Sequence, residues 1–223
     1  MKTTQHPLAA LVAVIACLLP LSANADTIEE TRTKAEKGDA EAQCNLGKCY
    51  FYGEGVERNR AEAVKWIRKA ADQGYAKAQY SVGYGYANGL EVEKNEAEAV
   101  KWYHKAAEQG DANAQENLGS CYAAGTGVNK DEAEAVKWFR KAAEQGRSYA
   151  QNEIGSCYAD GVGVVKNELL AYQWYLLASA NGNPVAKWNM SKLEKGLTAE
   201  QRTEGQRAAT EWQAAFEKRQ EAK

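Results

Sequence analysis

The chain is predicted to be all-α, a right-handed α/α solenoid of four 36-residue helix-turn-helix repeats with a half-repeat at each end and a C-terminal capping helix. Three observations carry this. Gly38, Gly74, Gly110, Gly146 and Gly182 keep a constant 36-residue interval. Between consecutive glycines lie two apolar stripes of helical period, and a glycine-containing turn separates them. Periodicity of this length marks a stack of supersecondary units, each of which buries its apolar face against its neighbours.

Residues 1–25 read as a secretory signal. Lys2 precedes a largely apolar run from Leu8 to Leu21, and Ala23-Asn24-Ala25 supplies the small residues of a cleavage site. The run is shorter than the roughly 18 residues of a spanning helix. The mature chain is then expected to start near Asp26, soluble in a periplasm or secreted, with no stable membrane insertion. Val14-Ile15-Ala16-Cys17 offers an alternative, a lipoprotein anchored through Cys17. Residues 26–37 read as an N-terminal capping helix and residues 38–182 as the repeats, at 38–73, 74–109, 110–145 and 146–181. Residues 183–223 form a half-repeat and a capping helix.

In the first helix of the first repeat, Ala42, Leu46, Gly47 and Tyr50 share one face. Asp39 can cap its start, as Asp111 can in the third copy. Second helices open with Asn59…Glu62, Asn95…Glu98 and Asp131…Glu134, a broad form of the capping box. Ala63, Val64, Trp66, Ile67, Ala70 and Ala71 then trace a buried stripe. Gly47, Gly83, Gly119 and Gly155 sit mid-helix, where glycine costs about 1 kcal/mol relative to alanine. Close approach of the second helix, with its Trp against the bare backbone, is the expected reason. The turns Gly53-Glu54-Gly55, Gly125-Thr126-Gly127 and Gly161-Val162-Gly163 are helix-to-helix connections rather than phosphate loops, since no strand precedes them and no GK[ST] follows. The second copy has Gly89-Leu90-Glu91, which predicts a different turn there. After Asn183-Pro184, which begins another first helix, Thr198-Ala199-Glu200-Gln201 is a capping box for a final helix running through Trp212 and Phe216.

The pattern A-x-A-Q-x-x-L-G-x-C-Y-x-x-G-x-G-V from Ala40 to Val56, with E-A-V-K-W-x-x-K-A-A-x-Q-G from Glu62 to Gly74, resembles the Sel-one-like repeat family, relatives of the tetratricopeptide repeat. The resemblance covers residues 38–182 and implies a scaffold or adaptor that meets envelope or host proteins. It also implies that first helices line a concave face. Helical rotation then brings Glu41, Cys44, Lys48, Phe51 and Tyr52 to the groove side, opposite Leu46 and Tyr50. The candidate partner-binding residues across the copies are Lys48, Phe51, Tyr52, Tyr80, Tyr84, Asn88, Glu116, Ser120, Tyr149 and Asn152. They differ between copies while the core does not, and tyrosines combine apolar area with a hydroxyl.

A net charge of -2 with no basic block excludes a nucleic-acid footprint. Cys44, Cys49, Cys121 and Cys157 are expected to be reduced, with Cys44 the most exposed, because helical spacing and the separation of stacked helices both miss disulfide geometry. His104 occupies the site of Arg68 and Arg140 and reads as a solvated side chain. No metal site, cofactor, catalytic residue or serine elbow is expected. The leading function is a non-catalytic protein-binding adaptor, a monomer, that takes a peptide or helix of an envelope or host protein. Two alternatives stand beside it. One is a β-lactam-binding or hydrolysing protein like a disulfide-rich branch of the family, although Ala42, Gln43, Ala70 and Ala71 stand around the places where paired cysteines are expected in that branch. The other is an inhibitor or immunity-like binder of one cognate protein.

Overall fold

Local hydrogen-bond chemistry sets the helix ends seen in the computed structural model, which describes residues 27–222. The expected signal segment, its cleavage site and Cys17 lie outside the described residues. The described residues form helices and no strand: α1 (Ile28–Glu36), α2 (Ala40–Tyr52), α3 (Arg60–Asp72), α4 (Ala76–Asn88), α5 (Glu96–Glu108), α6 (Ala112–Ala124), α7 (Glu132–Glu144), α8 (Ser148–Asp160), α9 (Glu168–Ala180), α10 (Pro184–Glu194) and α11 (Ala199–Glu221). Helices α2/α3, α4/α5, α6/α7 and α8/α9 are the four repeats, and α10 is a fifth first helix. The chain divides into two compact units, with the border between Ser81 and Val82 inside α4.

In the N-terminal unit, Ala35, Ala42 and Leu46 form a small core with Ile28, Tyr50 and Trp66 packed on it. The C-terminal unit holds a larger core, in which Val136, Phe139, Ile154, Trp174, Tyr175 and Leu177 are buried. Helix α11 packs along α9. Its Trp212 ring meets Trp174 edge-on at 5.8 Å, and a Cβ at Gly205 would lie 2.6 Å from the Tyr172 ring. Thr198 and Gln201 exchange both hydrogen bonds of a full capping box at the start of α11.

The second helices cap differently from expectation. Asn59, Asn95 and Asp131 each accept from the backbone N–H of the Glu three residues on, at 3.1, 3.0 and 2.9 Å. The reciprocal bond is absent from these helices, because each cap N–H already donates to a tyrosine carbonyl of its own repeat: Tyr50, Tyr86 and Tyr122. The freed Glu62, Glu98 and Glu134 pair instead with Lys65, Lys101 and Lys137 one turn along.

The mid-helix glycines meet the residue after the expected tryptophan. A Cβ at Gly47 would lie 2.6 Å from Ile67, and at Gly83, Gly119 and Gly155 2.7–2.8 Å from the Tyr103, Phe139 and Tyr175 rings. The tryptophans turn away far enough for Lys69, Lys105 and Lys141 to stand over Trp66, Trp102 and Trp138 at 4.2, 4.1 and 3.9 Å.

The second-copy turn also departs from expectation. Glu91 takes the place of Gly55, Gly127 and Gly163 and adopts the same left-handed backbone, φ +57° against +68° to +70°. An L-residue there is strained by about 1 kcal/mol. Glu91→Gly is therefore expected to raise Tm by about 2–4 °C, and Glu91→Val to lower it, by thermal unfolding monitored with circular dichroism.

Candidate functional site

In three copies one residue of the first helix is covered by the segment that opens or forms the next first helix. In the N-terminal unit this position is Cys44, which is fully buried, whereas the sequence reading made it the most exposed thiol. In the C-terminal unit the same position is Glu116 and Asn152, which are 8% and 4% exposed and so cannot present their side chains to a groove. Each is held by the following first helix. Glu116 accepts from Arg147 at 2.7 Å and from the Ala150 N–H at 3.3 Å, which replaces the cap that Asp39 and Asp111 supply in other copies. Asn152 accepts from the Asn189 amide at 2.9 Å.

The remaining candidates keep contact with solvent. In the N-terminal unit, Tyr52 is exposed and Lys48, Phe51 and Tyr80 are half-buried. The Phe51 and Tyr52 rings meet edge-on at 5.1 Å, and the guanidinium groups of Arg58 and Arg60 lie 6.0 and 5.8 Å from the Phe51 ring. In the C-terminal unit, Tyr84 and Ser120 are half-buried, Asn88 is exposed and Tyr149 is 47% exposed. The Asn88 amide donates to the Tyr84 carbonyl at 2.9 Å, and the Ser120 hydroxyl donates to the Glu116 carbonyl at 3.1 Å. Burial raises the Tyr149 hydroxyl pKa, with the charge of Glu153 adding to it and a hydrogen bond with Ser120 opposing it.

Sequence reasoning missed Arg147 and Glu153, which give this face its charge. Arg147 pairs with Glu116 and remains partly open to solvent. Burial pushes the Glu153 carboxyl above its ordinary range, the Asn152 amide at 3.1 Å opposes this, and Glu116 adds to it. The signal in the sequence was a substitution: Arg147 stands where Asp39 and Asp111 cap their helices. The C-terminal unit thus carries a face built from α6 and α8 in which Tyr149 sits among Ser120, Arg147 and Glu153. Such a surface offers apolar area, hydrogen bonding and one charge of each sign.

Chemistry of other kinds finds little support. All four described cysteines are free, and burial raises the Cys121 and Cys157 thiols to about 11, away from thiolate reactivity. His104, expected in solvent, is half-buried. Its Nε2 lies 2.9 Å from the Tyr122 hydroxyl and its ring meets Trp138 edge-on. Arg140 reaches Tyr158 in the same way one repeat later, so this position links a second helix to the next first helix. No group of three His, Cys, Asp or Glu residues among the described residues could hold a metal ion. No described helix is long and apolar enough to cross a membrane.

Tandem helix pairs with a repeated interior and non-repeating first-helix faces define a helical-repeat scaffold. The Sel1 repeat model matches residues 40–75, 76–111, 112–146 and 148–183, and the chain belongs to the Sel1 repeat family. Among solved structures, a protective antigen of uropathogenic Escherichia coli with an SLR fold is 36% identical, TM-score 0.75, over 91% of this chain and 45% of that one. This chain therefore spans under half of that antigen. A Sel1 repeat protein from Oxalobacter formigenes is also 36% identical, TM-score 0.67, over 85% of this chain and 75% of that one. An immunity protein from Pseudomonas aeruginosa shares the fold at 22% identity, TM-score 0.50, over 85% of this chain and 74% of that one. No curated protein matches the sequence. Sel1 repeat proteins generally mediate protein–protein interaction and are generally non-catalytic.

Proposed function

We propose that this chain is a non-catalytic adaptor outside the cytoplasm, in a periplasm or secreted, and that its first-helix faces bind a segment of an envelope or host protein. The observation that carries the reading is Tyr149. It is a large aromatic at a position whose neighbours change from repeat to repeat, and it is half exposed on helices whose other faces are dictated by packing. A binding surface needs this combination of a rigid scaffold and side chains free of architectural duty. The signal-like residues 1–25 support export. A partner of this face meets Tyr149, Ser120, Arg147 and Glu153, a set suited to a polar peptide or helix with an apolar anchor. A single cognate partner, as for an immunity-type binder, is the narrow form of the same reading.

The test is photo-crosslinking in the native cell with a benzophenone side chain placed at position 149, and at position 165, on an exposed turn, as the control. A discrete protein adduct at 149 and none at 165 is expected. Identical adducts from both positions, or none from 149, would overturn the reading.

A further inference from the structure

We propose that the outer face of α10, centred on Trp188, is a docking site for an acidic amphipathic helix of another protein, seated as the first helix of a following repeat would be. Trp188 stands 36 residues after Asn152, 72 after Glu116 and 144 after Cys44. In those three copies the position is buried: Cys44 lies beside Tyr75 at the start of α4, Glu116 holds Arg147 and the Ala150 N–H of α8, and Asn152 holds Asn189 of α10. Where this position is buried, a following first helix covers it; Tyr80, its equivalent in the second copy, is half-buried. At Trp188 the same position is 66% exposed, and α11, the helix that follows, packs on α9 instead.

The chemistry of the face selects the occupant. Val185, one turn before Trp188, is also exposed, so an apolar stripe runs along the helix. Lys187, Lys192 and Lys195 flank it in solvent, with the Lys192 ammonium 5.7 Å from the Trp188 ring. The one acidic side chain of α10, Glu194, is turned inward and accepts from the Tyr172 hydroxyl at 2.7 Å. A second copy of α10 would bring lysines against lysines. A helix with an apolar stripe and Asp or Glu beside it would meet tryptophan and lysines together.

The probe is a displayed library of helix-forming 20-residue peptides with randomised surface positions, selected on the intact chain, with affinities read by fluorescence anisotropy. The expected winners carry apolar residues at i, i+3, i+4 and i+7 flanked by Asp or Glu. Trp188→Ser should weaken them by about 30-fold, as loss of a central tryptophan anchor does. Lys192→Glu should weaken them further and flatten their salt dependence. Trp188 is largely in solvent, so Trp188→Ser leaves the fold intact, checked by an unchanged Tm. Tyr149→Ala reports on the α6/α8 face and should leave these peptides bound. Peptides that are basic or extended, affinity unchanged in Trp188→Ser, or dimerisation of the chain through Trp188 in sedimentation velocity would each overturn the proposal.

Discussion

Replacing Gly127 by alanine is expected to lower stability by about 3 kcal/mol, a fall in Tm of roughly 6–12 °C for a chain of this size. Two effects add at this residue. Its φ of +70° is left-handed, which costs an L-residue about 1 kcal/mol. A Cβ would also lie 2.3 Å from the Glu96 carbonyl oxygen and 2.4 Å from its carbon. Both neighbours are backbone, so relief requires the turn after α6 to move off the start of α5. Gly125→Ala separates the two effects. Its φ of +72° is equivalent, but the nearest atoms to its Cβ are the Lys130 Cβ at 3.3 Å and backbone nitrogen at 3.4 Å, about an ångström farther off than at Gly127. It should cost only about 1 kcal/mol. Equal losses at the two positions, by urea or thermal unfolding, would show that backbone conformation alone explains these turn glycines.

Gln151→Leu should be comparably damaging, by about 3 kcal/mol, although leucine is apolar and of similar size. Gln151 is fully buried, donates to the Ala143 carbonyl at 3.2 Å and accepts from the Asn181 amide at 2.9 Å. It thereby joins the end of α7 to the end of α9 across the start of α8. The arrangement recurs: Gln43 donates to Ala35 and accepts from Gln73, and Gln115 donates to Ala107 and accepts from Gln145. Leucine would remove both bonds, each worth about 0.5–1.5 kcal/mol, and its branched end would fit poorly in a slot shaped for a straight amide, although the Ala143 carbonyl keeps the Gly146 N–H as a donor. Gln151→Glu refines the test. Its carboxylate could accept from Asn181 but would repel the Ala143 carbonyl, whereas the protonated acid could donate to it. Burial and that donated bond both raise the folded-state pKa above the unfolded value of about 4.3. The extra stability is then present below that value and is lost as pH rises through the folded pKa. A variant whose deficit relative to the parent did not shrink at low pH would argue that Gln151 fills space rather than bridging helices.

The glutamine bridges show how far the sequence could be read. Gln43, Gln79, Gln115 and Gln151 hold one register through four copies, and a polar residue that repeats as strictly as the core announces a buried bond. Its partners were not legible, because they lie on helices before and after in the stack. The capping boxes divide in the same way. At Thr198 the local pattern suffices, since no other group competes for the cap N–H. At Asn59, Asn95 and Asp131 the carbonyl of Tyr50, Tyr86 or Tyr122 reaches that N–H first. The partner face was half legible. Rotation placed Tyr149 and Tyr52 on an open side of their helices, where they are found. The same rotation placed Glu116 and Asn152 there, and they are covered.

Sequence alone thus determined the 36-residue unit, the alternation of its two helices, the side chains that cap the helix starts and the Gly-x-Gly turns of the first, third and fourth copies, because each rests on hydrogen bonds and apolar spacing within a few residues. Tertiary structure decided which side of each first helix is solvent. It also decided that Ile67, Tyr103, Phe139 and Tyr175, rather than the tryptophans, close on the mid-helix glycines, and that Arg147 and Glu153 give the α6/α8 face its charge. These outcomes depend on the angle at which one helix meets the next. A few tens of degrees of rotation move a side chain from the groove to the seam between repeats, and no local rule fixes that angle.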